Sequence, residues 1–333
     1  MRRWLLVFTV LALGSLSSAQ SPPGCVLEIP VGVTASDGAW VRGLQASSFK
    51  VAETKVPLAV SDAVYDHEPR RIVFVLDRSS HLGKPATKIV TAVLERILQN
   101  ARPGDSFGLV FAGHEPVAIG KPQDVLTQFR EMVAGPAAHS KKGNLLDALS
   151  EAAELLHPPQ LGDSIFAFAG VDDLSEGKKY RRVYDLLSEH QVRVFGVLFG
   201  LPATGTQKNF WIRTPVSQYW STSQLQQLYT LDTQTFTALT WGSGGSLSRE
   251  PTRDERKTYK LTEARLKELV EQEWQTYGAM TQLYRVRLTL SVPLSKPKPW
   301  RFDLAPDLRD QPPKKQVLYP RQIPACEAPL SAK

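Results

Sequence analysis

The segment R-R-I-V-F-V-L-D-R-S-S-H-L-G, residues 70–83, decides the fold of this chain. Five apolar residues, 72–76, run without interruption and stop at Asp77. A short apolar run bounded by polar residues predicts a buried strand, typical of a parallel sheet. Apolar residues at helical spacing over residues 86–100 then predict a helix. A carboxylate therefore follows a buried strand and precedes a helix, the position where open α/β sheets place their binding sites.

Strands and helices alternate in the same way through the middle of the chain. Predicted strands cover residues 105–112, 164–169 and 192–199, and predicted helices cover residues 124–132, 144–156 and 179–189. Such alternation indicates βαβ units and a parallel sheet. We expect an α/β fold with a doubly wound, mostly parallel sheet. A small N-terminal β-rich module precedes it, with predicted strands near residues 26–33, 40–41 and 57–60, and a C-terminal β segment follows it.

The order of strand, D-x-S-x-S motif and helix resembles the opening of a von Willebrand factor A domain. That motif begins the metal-ion-dependent adhesion site of the family. The sequence here is D-R-S-S-H, in which Asp77 and Ser79 match the first two ligand positions and His81 stands at the position of the second serine. Gly244 and Gly245 match the glycine pair that precedes the final strand of such domains. The resemblance implies a Rossmann-like domain that binds partners at the carboxyl end of its sheet.

The leader also resembles a known group. The pattern V-x-V-x-A-x-D-G-x-x-V-x-G-L-x-x-x-x-F-x-V, residues 31–51, is similar to the leader of exported von Willebrand factor A-related proteins of acidobacteria. The resemblance covers roughly residues 30–324. It implies a signal peptide at 1–19, a β-rich leader module at 20–68 and an A-like domain at 69–248. A C-terminal helix, β segment and tail occupy 249–333, where residues 300–304 are expected to pair back on the preceding strand.

The metal ligands of this family match the chain only in part. The family binds Mg²⁺ or Mn²⁺ with oxygens of an Asp and two Ser from the first loop, a Thr from a second and an Asp from a third. Here Gly143 stands at the threonine position, Gly170 at the position of the last aspartate, and His81 at that of a serine. Because Mg²⁺ requires near-octahedral oxygen ligation, we expect a degenerate site without a cofactor.

Two other interpretations of this site stay open. His81, Asp77 and one of Asp172 or Asp173 are a set that suits Zn²⁺ or another transition ion, and a divalent cation such as Mg²⁺ is the remaining alternative. The two consecutive aspartates otherwise form a solvated loop. Without a metal, His81 is expected to be a loop histidine that hydrogen-bonds Asp77.

The first residues predict export. Arg2 and Arg3 precede an apolar run over residues 4–13, and small and polar residues end at Ala19 and Gln20. This arrangement is typical of a secretory signal peptide, with cleavage expected after Ala19. The apolar run is short for a bilayer-spanning helix, and an uncleaved anchor is the alternative. We therefore expect a periplasmic or secreted protein without a membrane span after cleavage.

Two cysteines, Cys25 and Cys326, lie near the ends of the expected mature chain. An exported protein meets an oxidising compartment, in which such pairs often join. We predict a disulfide between them, with two separate thiols as the alternative.

Charge and motifs exclude several classes of function. The net charge of +7 comes with no basic cluster interleaved with aromatic residues, so nucleic-acid binding is not expected. The chain has no G-x-S-x-G, no H-E-x-x-H and no phosphate-binding loop. Histidines 67, 114, 139, 157 and 190 show no metal-ligand spacing along the sequence. We therefore expect a protein that is not an enzyme.

The sequence predicts an exported adhesion-type module that binds a protein or a cell-envelope component. The expected binding loops are residues 77–81, 135–144 and 170–176, including Ser80 and Asn144. Trp211 and Trp220 lie in an aromatic insertion, residues 201–223, that forms a binding loop or covers the sheet edge. The alternatives are a metal-dependent hydrolase outside the cytoplasm and a structural envelope subunit that assembles through its sheet edge.

Overall fold

A computed structural model describes residues 24–36, 38–53, 55–77, 79–134, 144–170, 177–199, 231–250 and 261–327. For residues 53, 79–83, 134, 177–178 and 231–234 it describes the backbone alone. In the part so described, no helix is long and apolar enough to cross a bilayer.

A six-stranded sheet forms the centre of the α/β part. Its strands lie in the order β6 (Val117–Gly120), β5 (Ser106–Phe111), β4 (Arg71–Leu76), β7 (Ser164–Ala169), β8 (Arg193–Phe199) and β9 (Leu247–Glu250). All neighbours pair in parallel except β5 and β6, which are antiparallel. The first of these strands along the chain is in the middle, and the direction of winding reverses between β4 and β7. This is the strand order of a doubly wound fold, so the predicted fold class is confirmed.

Helices cover both faces of this sheet. They are α1 (Ser79–Gln99), α2 (Pro122–Ala134), α3 (Leu145–Leu155), α4 (Gly177–Glu189), α5 (Leu231–Gly242) and α6 (Glu263–Thr281). Side chains of β4 alternate between two cores, because successive residues of a strand point to opposite faces. Phe74 packs in the core shared with α1, α2 and α6, while Val73 and Val75 pack in the core shared with α3, α4 and α5.

The two ends of the chain form one β unit. Its strands are β1 (Cys25–Ala35), β2 (Phe49–Glu53), β3 (Leu58–Asp66), β10 (Leu283–Leu290), β11 (Lys298–Pro299), β12 (Arg301–Leu304), β13 (Lys315–Leu318) and β14 (Gln322–Ile323). A four-stranded antiparallel sheet runs in the order β13, β1, β10, β3. Two further pairs, β2 with β12 and β11 with β14, complete the unit, and a short helix, α7 (Pro306–Arg309), follows β12. Strands from the leader and from the C-terminal segment therefore share one core.

Three local predictions were wrong. Helix α1 begins at Ser79, seven residues before the predicted start at residue 86, and it continues through Pro85. A proline removes one helical hydrogen bond, but the buried face of a long helix outweighs that loss. Trp40 makes only a single bridge to Thr34 in place of a strand. Strand β12 pairs with β2 and not with the strand before it, a long-range choice that local pattern does not contain.

A layer of charged side chains lies at the amino end of the central sheet. Arg193 is fully buried and donates hydrogen bonds to the carbonyl oxygen of Met280 at 2.7 Å and to Ser164 Oγ at 3.3 Å. Burial, followed by repulsion from Arg70, lowers the pKa of Arg193 to about 9. Arg70 in turn pairs with Asp66 at 3.1 Å. The last turn of α6 and the end of β3 are thus tied to the same edge of the sheet.

The predicted disulfide is present. Cys25, at the start of β1, is bonded to Cys326, with the two Cα atoms 6.2 Å apart. Cys326 also exchanges backbone hydrogen bonds with Leu294. The two cysteines are 301 positions apart in sequence, and their bond joins both ends of the β unit.

Replacing both cysteines, in Cys25→Ser with Cys326→Ser, should lower the free energy of unfolding by about 2–5 kcal/mol, because the unfolded chain regains the freedom that the cross-link removes. Denaturant unfolding measures this difference. Wild-type protein treated with a reductant is the matched control and should unfold like the double variant. Equal stability of the oxidised wild type and the double variant would contradict the prediction.

Candidate functional site

The candidate site lies where the winding of the sheet reverses. Strands β4 and β7 are neighbours, yet the chain leaves β4 for α1 on one face and leaves β7 for α4 on the other. Ligands of open α/β sheets bind in the crevice that this reversal opens at the carboxyl ends of the strands. Asp77 follows β4 there, and Gly170 follows β7. We call this region the carboxyl edge.

Asp77 is held by backbone groups of β7 and of the residue after it. Its side chain is buried, and the N–H of Gly170 donates a hydrogen bond to Asp77 Oδ2 at 3.1 Å. The N–H of Asp77 donates to the carbonyl oxygen of Phe168 at 2.9 Å. A buried carboxylate is costly unless donors surround it, and a backbone amide aimed at its oxygen supplies part of that compensation.

The first turn of α1 follows Asp77 after one residue. Helix amino termini carry a partial positive charge, which stabilises a nearby carboxylate. Helix α1 begins at Ser79. Ser79, Ser80 and His81 thus lie on a helix and not on the loop that the sequence predicted. Their side chains lie outside the description, so the proposed metal ligation by Ser79 and His81 stays a prediction.

Asn144 has a structural role. It is the N-cap of α3, and its Oδ1 accepts a hydrogen bond from the N–H of Asp147 at 2.9 Å. An asparagine at this position satisfies one of the free amides of the first turn. Asn144 therefore stays at the carboxyl edge with its amide oxygen already engaged.

The first turns of α3 and α4 carry opposite charges that pair across the surface. Lys179 Nζ lies 2.6 Å from Asp147 Oδ2. Burial, followed by the charge of Asp147, raises the pKa of Glu151 one turn further along α3. Arg181 is exposed on the next turn of α4. Such pairs contribute about 0–1 kcal/mol to stability.

The remaining predicted residues, Asp172, Asp173, Trp211 and Trp220, lie outside the described residues. Within the part of the chain that the structure covers, no group of three or more His, Cys, Asp or Glu side chains is arranged to hold a metal ion. The zinc interpretation, which needs Asp172 or Asp173, therefore stays a prediction.

The residue at the last ligand position of the resembling family contacts Asp77 through its backbone. The resemblance expects a carboxylate at the position of Gly170, which instead presents a backbone N–H to Asp77. Mg²⁺ takes oxygen ligands, and this position supplies a donor in place of an oxygen. The sequence shows a glycine at this ligand position but does not show that its amide is a partner of Asp77. A glycine directly after an apolar strand, opposite a buried Asp, is the signal that could have found it.

Removing the carboxylate should expose the role of this bond. Asp77→Ala leaves the buried N–H of Gly170 without its acceptor, and we expect a loss of about 1–3 kcal/mol in the free energy of unfolding. Asp77→Asn keeps an acceptor oxygen of the same shape and should lose less. Denaturant unfolding of the two variants measures the difference. Equal stability of both would show that the bond to Gly170 contributes nothing.

Comparison with known proteins finds similar solved structures. No protein-family model matches the chain, and no curated protein matches it. The conserved hypothetical protein BatB from Bacteroides thetaiotaomicron is 14% identical with a TM-score of 0.39, over 62% of this chain and 98% of that one. The SpRpn10 VWA domain is 13% identical with a TM-score of 0.40, over 62% and 95%.

A third structure covers more of the chain. The von Willebrand factor type A protein from Catenulispora acidiphila is 10% identical with a TM-score of 0.40, over 92% of this chain and 74% of that one. The assignment of the doubly wound class rests on the strand order and pairing directions of the chain itself.

Proposed function

We propose that this protein is an exported interaction module that binds a protein or a cell-envelope component at its carboxyl edge. The observation that carries the proposal is the position of Asp77 and Gly170 at the reversal point of the sheet, where doubly wound folds bind their ligands. Asp77, Gly170 and the first turns of α3 and α4 lie at this edge.

The binding proposed here does not use a divalent cation. The carboxylate that would begin an adhesion site is engaged by the N–H of Gly170. Gly143 and Gly170 stand at two ligand positions of the von Willebrand factor A family, which the sequence resembles. Contacts with the partner would then come from polar side chains and backbone groups. We also propose that the module catalyses no reaction.

Export is supported from two independent directions. The first residues have the charge and length of a signal peptide. The bond between Cys25 and Cys326 belongs to an oxidising compartment, because thiols of ordinary cytosolic proteins are kept reduced. Both agree with a protein that acts in the periplasm or outside the cell, and we propose that location.

Helix α3 offers a matched pair of variants for testing the binding face. Asp147 lies in its first turn, at the carboxyl edge. Glu154 is exposed in its last turn, and the carbonyl of the cap residue Leu156 accepts from Arg71, the first residue of β4. Glu154 therefore lies near the opposite edge of the sheet, where its parallel strands begin. We call this the amino edge. Asp147→Arg and Glu154→Arg make the same charge change at opposite edges of one helix.

The partner is first isolated with the immobilised wild-type chain from an envelope fraction and is then purified. Its affinity for the wild type and both variants is measured by biolayer interferometry, with and without EDTA. We expect Asp147→Arg to weaken binding about tenfold or more, since a bulky reversed charge blocks a central contact. Glu154→Arg and EDTA should leave the affinity unchanged.

Two results would contradict the proposal. Equal affinity of both variants would place the binding face elsewhere on the molecule. Loss of binding in EDTA, restored by Mg²⁺, would show that a cation mediates the contact.

A further inference from the structure

Two histidines that are far apart in sequence meet at the amino edge of the sheet. His157 follows the end of α3, and His190 follows the end of α4. Their ring centroids are 5.7 Å apart with an interplanar angle of 42°. The fold causes this meeting, because α3 and α4 pack on the same face and run in the same direction, so that their carboxyl ends lie side by side.

The loop that carries His157 is held by Arg71. Its guanidinium donates to the carbonyl oxygens of Leu156 and Pro158, both at 2.8 Å, which are the residues on either side of His157. The same side chain forms an ion pair with Asp163 at the end of the loop. The position of the His157 backbone is therefore fixed before any ligand binds, which lowers the ordering cost of binding.

The end of α4 is equally well defined. Val192 N–H donates to Leu187 O at 3.0 Å and Gln191 N–H donates to Ser188 O at 3.3 Å, the two hydrogen bonds of a Schellman motif. Gln191 takes the left-handed conformation, with φ of 53°, at a position where glycine is usual. A residue with a side chain thus occupies a position that favours glycine.

His190 and the next residue, Gln191, each have a buried side-chain atom without a hydrogen-bond partner among the described residues. They are Nδ1 of His190 and Oε1 of Gln191. Both can offer a lone pair, and a buried lone pair left unused is unfavourable. A bound cation would satisfy such atoms. The dipoles of α3 and α4 also place a partial negative charge at their carboxyl ends, which favours a cation there.

We propose that His157 and His190 bind one Zn²⁺ or a similar transition-metal ion, with Gln191 Oε1 and water as further ligands. Imidazole nitrogens lie about 2.0–2.1 Å from zinc, which places two rings of a tetrahedral site about 5–6 Å apart between centroids. The observed separation of 5.7 Å agrees with this geometry. Neutral imidazole and amide ligands suit Zn²⁺, Ni²⁺ or Cu²⁺ and not Mg²⁺ or Ca²⁺. The ion would cross-link the carboxyl ends of α3 and α4.

Isothermal titration of the tag-free chain with Zn²⁺ tests the site, and the absorption spectrum of bound Co²⁺ reports imidazole coordination. We expect one ion per chain in the wild type. His157→Gln and His190→Gln should each weaken binding at least about tenfold, since each removes a ligand. His67→Gln, at an exposed histidine outside the pair, is the matched control and should bind like the wild type.

Gln191→Gly separates ligation from structure. Glycine suits the left-handed position, so the variant should melt at the wild-type temperature or above it without zinc. If the amide oxygen ligates, its zinc affinity should nevertheless fall. Asp77→Ala, at the opposite edge, should leave zinc binding unchanged, so this site and the proposed binding face are tested independently. Absence of zinc binding, or undiminished binding in both histidine variants, would overturn the proposal.

Discussion

The hydrogen bond from Gly170 N–H to the buried carboxylate of Asp77 is the constraint on which the carboxyl edge depends. Strands β4 and β7 pair in parallel as far as Leu76 and Phe168, and the chain then leaves them in opposite directions. At that point no further strand pairing holds the two together. The carboxylate bridges them, and it is stable in the interior because an amide and the start of α1 compensate its charge.

The second constraint is the short connection between α6 and β10, which links the central sheet to the β unit. Only Gln282 separates the helix, which packs on the central sheet, from the strand that lies in the middle of the β unit. Arg193 anchors the last turn of this helix through the carbonyls of Ala279 and Met280. Strands β1 and β3 add to β10 from either side, and β13 adds to β1, so strands from both ends of the chain join one sheet. The disulfide secures the outer end of that arrangement.

Much of the fold could be predicted because its signals are local. The unbroken apolar run at residues 164–169 matched β7 at both ends, and Asn144 was placed at the start of α3, where it caps the helix. The disulfide followed from the expected compartment and the position of the two cysteines. The pairing of β12 with β2 could not be predicted, since it depends on contacts between distant parts of the chain. His157 and His190 showed no ligand spacing for the same reason, although parallel helices on one face bring them together.

The candidate site was predictable in place and less so in chemistry. Asp77 was identified from its position after a buried strand, and the loss of ligands was visible in Gly143 and Gly170. The sequence did not reveal that a backbone amide donates a hydrogen bond to this carboxylate. The most direct test is a crystal structure grown with excess MnCl₂, with an anomalous difference map for manganese. The account predicts no anomalous peak at Asp77 and an intact bond from Gly170 N–H. A peak within coordination distance of the Asp77 carboxylate, with that amide displaced, would contradict it.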